Sequence, residues 1–311
     1  MVGVIATTIP HGRTARRLDW AHLPPVVRTA IERRLGSRVV GSESQDAGYT
    51  PGFASVLVCA DGSRHFVKAA SLKAQRAIAE AYREESRNLP LLPPTVPAPR
   101  LQWVLDQDDW FALGIQYVES RPPHRPWVAE DLRAAADALV EAGRALTPAP
   151  GLGLSTFAEE FAAYPEYWSR LTHLPHHAEA AELAAGFAEV TAGDTLVHTD
   201  IRDDNILITP DGTASVCDWN WPVVGADWID SLLLLIGPRG DGVDVEAVIA
   251  DHPLLADVPA GSLDRLLALL TGFFLVSATA TAPRTSPYLR TVQGWQGEVC
   301  WDWLCERRGW R

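Results

Sequence analysis

The sequence predicts a bilobal α+β fold, in which a small strand-rich lobe precedes a larger helical lobe. Residues 40–70 contain a glycine-bearing turn and two β-rich runs joined at Asp61-Gly62, which is typical of a hairpin. From about residue 128 onwards, Ala and Leu recur at three- and four-residue spacing, which is typical of helices. The proline-rich segment SRPPHRPW separates the two patterns. We therefore predict lobes of residues 1–118 and 119–311.

The rest of the first lobe follows from apolar spacing and from prolines. Residues 71–89 are predicted to be a helix, because Leu72, Ile78, Tyr82 and Leu89 share one face at helical periodicity. Five prolines between positions 90 and 99 end that helix and begin an extended stretch. Two further strands are predicted near residues 100–105 and 110–118.

The second lobe is predicted to contain five helices and one hairpin. The helices are expected at residues 128–146, 156–172, 177–191, 227–236 and 262–281. The hairpin is expected at residues 205–218, where two short apolar runs flank Pro-Asp-Gly. The uncharged run at residues 266–282 is slightly short for a membrane span, so it predicts a buried core helix and no membrane partner.

Composition excludes some classes of function. A net charge of −12 and a pI near 5.2 argue against nucleic-acid binding, which needs clustered Lys and Arg. The four cysteines have no zinc-ligand spacing, so they are expected to be reduced thiols. At the N-terminus an apolar stretch precedes the basic residues, which is the reverse of a signal peptide. These features predict a cytoplasmic protein.

The strongest indication of chemistry is the run LVHTDIRDDNILITPDGTASVCDWN. It places His198, Asp200 and Asn205 in an H-x-D-x-x-x-x-N pattern and Asp218 at the far end of the predicted hairpin. Phosphoryl transfer requires a carboxylate that orients the attacking hydroxyl and accepts its proton, together with oxygen ligands for Mg²⁺. A hairpin returns Asp218 to the end where the loop delivers Asp200 and Asn205. The three oxygen-bearing side chains are therefore expected to converge.

This run resembles the catalytic loop and metal-binding turn of the aminoglycoside phosphotransferase family, whose members are relatives of protein kinases. The family usually has HGDxxxxN followed by DW, whereas this chain has Thr199 in place of that Gly. The resemblance implies a protein-kinase-like fold, ATP as the nucleotide with GTP as an open alternative, and Mg²⁺. It also implies that Asp200 and His198 are catalytic and that Asn205 and Asp218 bind the metal.

A later segment, GADWID at residues 225–230, resembles the Gly-Asp-Pro and Asp-Leu segment of the same family. In that family the last Asp caps a helix and braces the catalytic loop. The resemblance therefore implies a structural role for Asp230.

Kinase-like enzymes also carry a lysine on an early strand, paired with a glutamate on the next helix, to position the nucleotide phosphates. Lys68 ends an apolar run at the corresponding place. Two glutamates compete for the pairing, Glu84 and Glu85. Steps of four and seven residues from Ile78 reach Tyr82 and Glu85, so Glu85 shares the apolar face of the helix and Glu84 points away from it. We therefore predict the Lys68–Glu85 pair.

Two weaker similarities complete the predicted nucleotide site. Gly48 and Gly52 flank a turn before a strand that begins at Ser55, and this turn resembles the loop that covers the nucleotide phosphates, although no GxGxxG pattern is present. The run GIQYVESRPP resembles the connector whose backbone pairs with adenine, near Tyr117 and Val118.

Several functional alternatives stay open. A protein kinase is not favoured, because only 11 residues separate Asp218 from Asp230 and there is no Ala-Pro-Glu motif. A catalytically silent kinase fold that binds a nucleotide or a partner would share most of these features. Members of the family phosphorylate aminoglycosides, macrolides, choline, homoserine or sugars, and their acceptor pockets lie in the variable helical part. The expected partner is therefore a hydroxylated small molecule, recognised by residues 151–190 and 262–308.

Overall fold

A computed structural model describes residues 3–151 and 153–310 of the chain. Its first lobe is built on one five-stranded antiparallel sheet in the spatial order β1-β2-β3-β5-β4. The strands are β1 (Val39–Ser44), β2 (Phe53–Cys59), β3 (Arg64–Ser71), β4 (Leu101–Gln107) and β5 (Trp110–Ile115).

Two helices, α1 (Pro25–Leu35) and α2 (Arg76–Asn88), pack on opposite faces of this sheet. Side chains of a strand alternate between the faces. In β3, Val67 belongs to the apolar cluster formed with α1, whereas Lys68 projects from the other face toward α2. The alternation of side chains along β3 therefore places the Lys68 ammonium on the face that carries α2, where it also reaches Asp218 of the second lobe.

The predicted start of α2 at residue 71 was wrong. β3 continues to Ser71, which pairs with Trp110 in the ladder, and the Ser71 hydroxyl donates a hydrogen bond to Asp109 at 2.8 Å. A turn then delays the first helical residue to Arg76. Helix α1 was not predicted from the sequence. Pro25 at its first turn and Gly36 after its last residue are the signals that mark its ends.

The second lobe is mainly helical. Its helices are α3 (Ala129–Ala145), α4 (Phe157–Glu160), α5 (His177–Ala185), α6 (Phe187–Val190), α7 (Ile229–Leu234), α8 (Ile236–Gly240), α9 (Val245–Asp251), α10 (Ala260–Ala278) and α11 (Leu289–Arg308). Helix α10 packs against α11 and α5. It is long and apolar enough to cross a membrane by length and composition alone, but Leu266 and Leu269 are fully buried among its neighbours, as in a core helix.

Two of the predicted helices are interrupted. Residues 156–172 form the short helix α4, then a turn, then a 3-10 helix at Tyr164–Arg170. Pro165 lacks the amide hydrogen that a continuous helix would use, so the α-helix cannot run through it. Residues 177–191 are likewise divided at Gly186 into α5 and α6. Residues 227–236 fall in α7 and the start of α8.

Two short antiparallel ladders in the second lobe position the predicted chemistry. One pairs β6 (Thr195–Val197) with β9 (Val223–Gly225) and ends directly before His198. The other pairs β7 (Ile206–Ile208) with β8 (Ala214–Val216), which is the hairpin predicted at residues 205–218. Asn205 therefore directly precedes one strand of the hairpin, and Asp218 lies two residues after the other.

Residues 3–17 do not belong to the sheet. A strap of residues 5–17, called the N-terminal strap below, runs along the second lobe, where the Ile5 amide donates to the Gly240 carbonyl and the Arg16 amide donates to the Thr285 carbonyl, each at 2.9 Å. The strap then reaches the loop at residues 46–49, just before β2. It thus contacts both lobes, whereas the sequence suggested only the first.

Candidate active site

A cavity of about 260 Å³ lies between the two lobes. Its walls come from the sheet, from the connector after β5 and from the 204–218 hairpin region. The predicted site residues on its surface are Gly48, Lys68, Glu85, Tyr117, Val118, Asn205 and Asp218.

A buried ion triad forms one end of the cavity. The Lys68 ammonium donates to both carboxylate oxygens of Glu85, at 2.8 and 2.7 Å, and to Oδ1 of Asp218 at 2.6 Å. Only 1% of the Glu85 side chain is exposed. The Glu84 side chain is 41% exposed, and its carboxylate pairs with Arg87. The structure thus places Glu85 on the face that helical periodicity selected.

The triad shifts the titration of its members. Burial raises the pKa of Glu85, and the Lys68 ammonium opposes this shift. Burial would also raise the pKa of Asp218, but the Lys68 ammonium and its hydrogen bond outweigh it and lower that pKa to about 2. Its two carboxylate neighbours raise the pKa of Lys68 although burial lowers it. Asp218 therefore stays ionised at neutral pH, as a metal ligand must.

The adjacent pair of glutamates provides a test of this triad. We expect Glu85→Gln to weaken nucleotide binding and to lower the free energy of unfolding by about 1–3 kcal/mol, because a buried charge-assisted hydrogen bond is lost. Glu84→Gln should change the free energy of unfolding by less than about 1 kcal/mol, because its ion pair is largely solvated. Denaturant titration and nucleotide titration of both variants measure the contrast. Impairment by Glu84→Gln alone would show that Glu85 was assigned wrongly.

The loop after β6 presents Asp200 beside the hairpin. The Asn205 amide donates to the Asp200 carbonyl at 2.8 Å and to its carboxylate at 3.3 Å, which fixes the loop. The Arg202 guanidinium contacts Asp200 and also bonds to both oxygens of Asp204, at 2.9 and 3.1 Å. Burial raises the pKa of Asp200, and Arg202 opposes that shift. Asp200 does not itself line the cavity, but 37% of its side chain is exposed and it lies next to Asn205, which does, so it is a candidate proton acceptor.

His198, predicted to be catalytic, lies beneath this loop and not at its surface. It is 1% exposed, and its Nε2 bonds to the Cys217 carbonyl at 2.9 Å. Its Nδ1 accepts the Asp200 amide at 3.2 Å, and its ring packs edge-on against Trp219. With both ring nitrogens engaged by backbone, the geometry gives His198 a positioning role that links the Asp200 loop to the hairpin.

Thr199 occupies the position where the resembling family has glycine. Its φ of +68° lies in the left-handed region, which β-branched residues rarely adopt. Three hydrogen bonds hold it there: Asp230 accepts the amides of His198 and Thr199 at 2.6 and 2.9 Å, and the Thr199 hydroxyl donates to the Trp221 carbonyl at 3.0 Å. Asp230, at the start of α7, thus braces this loop as expected, but it does not cap the helix: Trp228 is the N-cap residue and no side chain caps it, because both Asp230 oxygens accept loop amides.

The donor atoms fit a hard cation. Lys68 and Asn220 both donate to Oδ1 of Asp218, so its Oδ2 has no donor among residues 3–151 and 153–310. Asn205 uses its amide nitrogen on Asp200, which leaves its oxygen available. The described part of the chain has no group of three or more His, Cys, Asp or Glu suited to a metal ion. Two oxygen ligands suit Mg²⁺, which usually binds one or two protein groups together with phosphates and water.

Two residues predicted to contact nucleotide do not face the cavity. Ser55 pairs with Val67 across the β2–β3 ladder, so its side chain shares the Val67 face, opposite to Lys68. Strand alternation is the reason for this placement. Gly52 packs against α2 instead, since a Cβ there would lie 2.3 Å from the Tyr82 hydroxyl. Gly48 does line the cavity, with a φ of +85°.

The connector after β5 closes the other end of the cavity. Tyr117 and Val118 line it, and their backbone N–H groups have no acceptor among the described residues. Free backbone donors in an extended connector can pair with a purine edge. The Tyr117 ring packs beneath the Arg64 guanidinium, 4.5 Å from ring centroid to Cζ.

Sequence reasoning missed several residues that line the cavity. Asp204 belongs to the H-x-D-x-x-x-x-N run itself, where it could have been noticed as an additional carboxylate. Arg17 comes from the N-terminal strap, and Tyr49 from the loop before β2. No spacing in the sequence connects Arg17 with the rest of the site.

Comparison with solved structures identifies the fold. The crystal structure of aminoglycoside phosphotransferase APH(4)-Ia matches with a TM-score of 0.62 and 14% sequence identity over 90% of this chain and 98% of that chain. Choline kinase LicA from Streptococcus pneumoniae matches with a TM-score of 0.62 and 14% identity, over 92% and 99%. A thermostable APH(4)-Ia mutant, in ternary complex with ADP and hygromycin B, gives 0.61 and 14%, over 90% and 98%. No family model and no curated sequence matches the chain.

Proposed function

We propose that this chain, which has the fold of aminoglycoside phosphotransferases and of choline kinase, transfers the γ-phosphate of ATP or GTP to a hydroxyl of a small molecule. The observation that carries the proposal is that Lys68, Asn205 and Asp218 line one cavity, and that Asn205 is hydrogen-bonded to the adjacent Asp200 carboxylate. Phosphoryl transfer depends almost entirely on positioning and on electrostatic stabilisation, and these four side chains supply both.

In the proposed reaction, the acceptor hydroxyl oxygen bonds to the γ-phosphorus as the bond from that phosphorus to the β–γ bridging oxygen breaks. The hydroxyl proton passes to the Asp200 carboxylate, and the nucleoside diphosphate leaves. The raised pKa of Asp200 makes its carboxylate a better proton acceptor than an ordinary Asp. Asn205 holds the backbone and carboxylate of Asp200 in place.

The nucleotide would lie along the cavity. Its base would meet the free backbone groups of Tyr117 and Val118, and its α- and β-phosphates would meet Lys68, which Glu85 holds in place. Asn205 and Asp218 would hold Mg²⁺, which supplies charge neutralisation on the phosphates when bound.

We further propose that the acceptor is a cationic, hydroxylated small molecule of the aminoglycoside type. One structural neighbour is described in complex with hygromycin B and another is a choline kinase. The chain has a net charge of −12, which favours cationic ligands. Such an activity would confer antibiotic resistance. Choline, sugar and homoserine kinases are the metabolic alternatives of the same class.

A panel of acceptors tests this function. Purified protein is given Mg²⁺ with ATP or GTP and, in separate reactions, aminoglycosides including hygromycin B, choline, homoserine, macrolides and sugars. We expect release of nucleoside diphosphate only in the presence of one acceptor class, with the phosphorylated acceptor detected by mass spectrometry. Nucleotide binding without acceptor-dependent release for any member of the panel would favour a silent kinase fold that binds nucleotide or a partner.

A further inference from the structure

Arg17, in the N-terminal strap, places an incompletely satisfied cation on the wall of the nucleotide cavity. A guanidinium has five N–H donors. One hydrogen bond runs from Nη2 to the Ala47 carbonyl at 2.9 Å, and the buried Nε has no acceptor among the residues that the structure describes. Within residues 3–151 and 153–310, Arg17 has no ion-pair partner. A buried donor without an acceptor is costly, so this guanidinium is suited to receiving an anion.

The position of Arg17 corresponds to the phosphate end of the cavity. Its Nη2 lies 3.3 Å from the point that a Cβ on Gly48 would occupy, and Oδ2 of Asp204 lies 3.4 Å from the same point. Arg17 therefore sits between the loop at residues 46–49 and Asp204 of the hairpin region.

The strap fixes Arg17 through its neighbours. The amides of Thr14 and Ala15 both donate to the Asp46 carbonyl, at 2.9 and 3.0 Å, and the Thr14 hydroxyl donates to the Gly48 carbonyl at 2.6 Å. These bonds attach the segment just before Arg17 to the loop that covers the cavity. The guanidinium is therefore preorganised, and a ligand would not have to order the strap.

The charged side chains around the cavity would not by themselves neutralise a bound triphosphate. Two positive side chains, Lys68 and Arg202, are already paired with four carboxylates: Glu85, Asp200, Asp204 and Asp218. A nucleoside triphosphate would add several more negative charges. With one divalent cation bound, these two side chains and the metal would only balance the four carboxylates, so the negative charge of the phosphates would still call for a further positive group.

We propose that Arg17 is a second phosphate-binding cation, which binds the terminal phosphates of the nucleoside triphosphate. The proposal rests on the function proposed above. It assigns to the N-terminal strap a part of the phosphate recognition that a GxGxxG loop would otherwise provide.

The test is a set of equilibrium binding measurements with ATP, GTP, AMP and adenosine. We expect Arg17→Ala to weaken binding of the preferred triphosphate about 10- to 100-fold, which is the usual effect of losing a hydrogen bond to a charged group. The affinity for adenosine should change less than about twofold. Arg16→Ala is the matched control, because Arg16 is exposed and its recorded contact with Thr285 uses only the backbone. It should leave all affinities unchanged.

Two charge variants separate a phosphate contact from a structural role. Arg17→Gln should lose as much triphosphate affinity as Arg17→Ala, whereas Arg17→Lys should retain most of it, and thermal unfolding should show that each is folded. Equal losses for adenosine and triphosphate, or unchanged triphosphate affinity in folded Arg17→Ala, would overturn the assignment of Arg17 alone. A wild-type protein that binds neither ATP nor GTP would overturn the proposed function, and this assignment with it.

Discussion

Replacement of Asp218 by Ala is expected to reduce turnover by about 10³-fold or more while the protein remains folded. Asp218 is a proposed Mg²⁺ ligand, and losing about 4 kcal/mol of transition-state stabilisation corresponds to a factor of that size. The fold should survive, because Lys68 keeps both of its hydrogen bonds to Glu85. Steady-state kinetics over a range of Mg²⁺ concentrations, together with thermal unfolding, provide the measurement.

Asp211→Ala is the matched control for that variant. Asp211 lies at the turn of the same hairpin and is exposed, and its side chain bonds only to Thr209 and Thr213 among the described residues. Its replacement should leave kcat within about twofold, since surface changes of this kind are usually small in free energy. Metal-dependent activity that persists unchanged in Asp218→Ala would refute its assignment as a ligand.

Replacement of Asp200 by Asn is expected to lower kcat about 10²- to 10⁴-fold, which is the usual contribution of a positioned general base. Asn keeps the shape of the side chain but cannot accept the hydroxyl proton. Arg202 would retain its two bonds to Asp204, so the loop should keep its conformation. Nucleotide affinity should therefore barely change, and isothermal titration with ATP checks this separation of roles.

The pH dependence of turnover adds a second measurement for Asp200. Because burial raises its pKa, wild-type activity should fall as the pH drops through a value above the ordinary range of Asp. Asp200→Asn should lose this acidic limb. Asp227→Asn, a change at an exposed carboxylate outside the cavity, should keep both kcat and the limb. An Asp200→Asn variant with near wild-type turnover would exclude Asp200 as the base.

The sequence predicted the parts of the site that depend on local spacing. Asp200 and Asn205 lie in one loop, and the Pro-Asp-Gly turn brings Asp218 back to it. Helical periodicity distinguished Glu85 from Glu84 because the period of 3.6 residues assigns each residue a definite direction. In each case, a few consecutive residues contain all the information that is needed.

Other features depend on contacts between distant segments, and the sequence could not show them. Arg17 approaches Gly48 because the strap folds back across both lobes. Ser55 was predicted to contact the nucleotide, but the register of β2 was unknown from the sequence, and one step along a strand reverses the direction of the side chain. His198 appeared catalytic from its motif, yet its two backbone contacts become visible only when β6 and the hairpin are assembled.

The loop at residues 46–49 accepts hydrogen bonds from two sides, and these bonds bear on the rate at which the proposed product could leave. The strap holds its carbonyl groups from one side, and Ser286, from the second lobe, donates to the Tyr49 carbonyl at 2.5 Å. In the proposed reaction, opening of the lobes would have to break the Ser286 bond, together with the bonds that tie the strap either to this loop or to Gly240 and Thr285 of the second lobe. The rate of diphosphate release would then depend on how fast these hydrogen bonds break. Such a step can limit kcat in an enzyme whose phosphoryl transfer is fast.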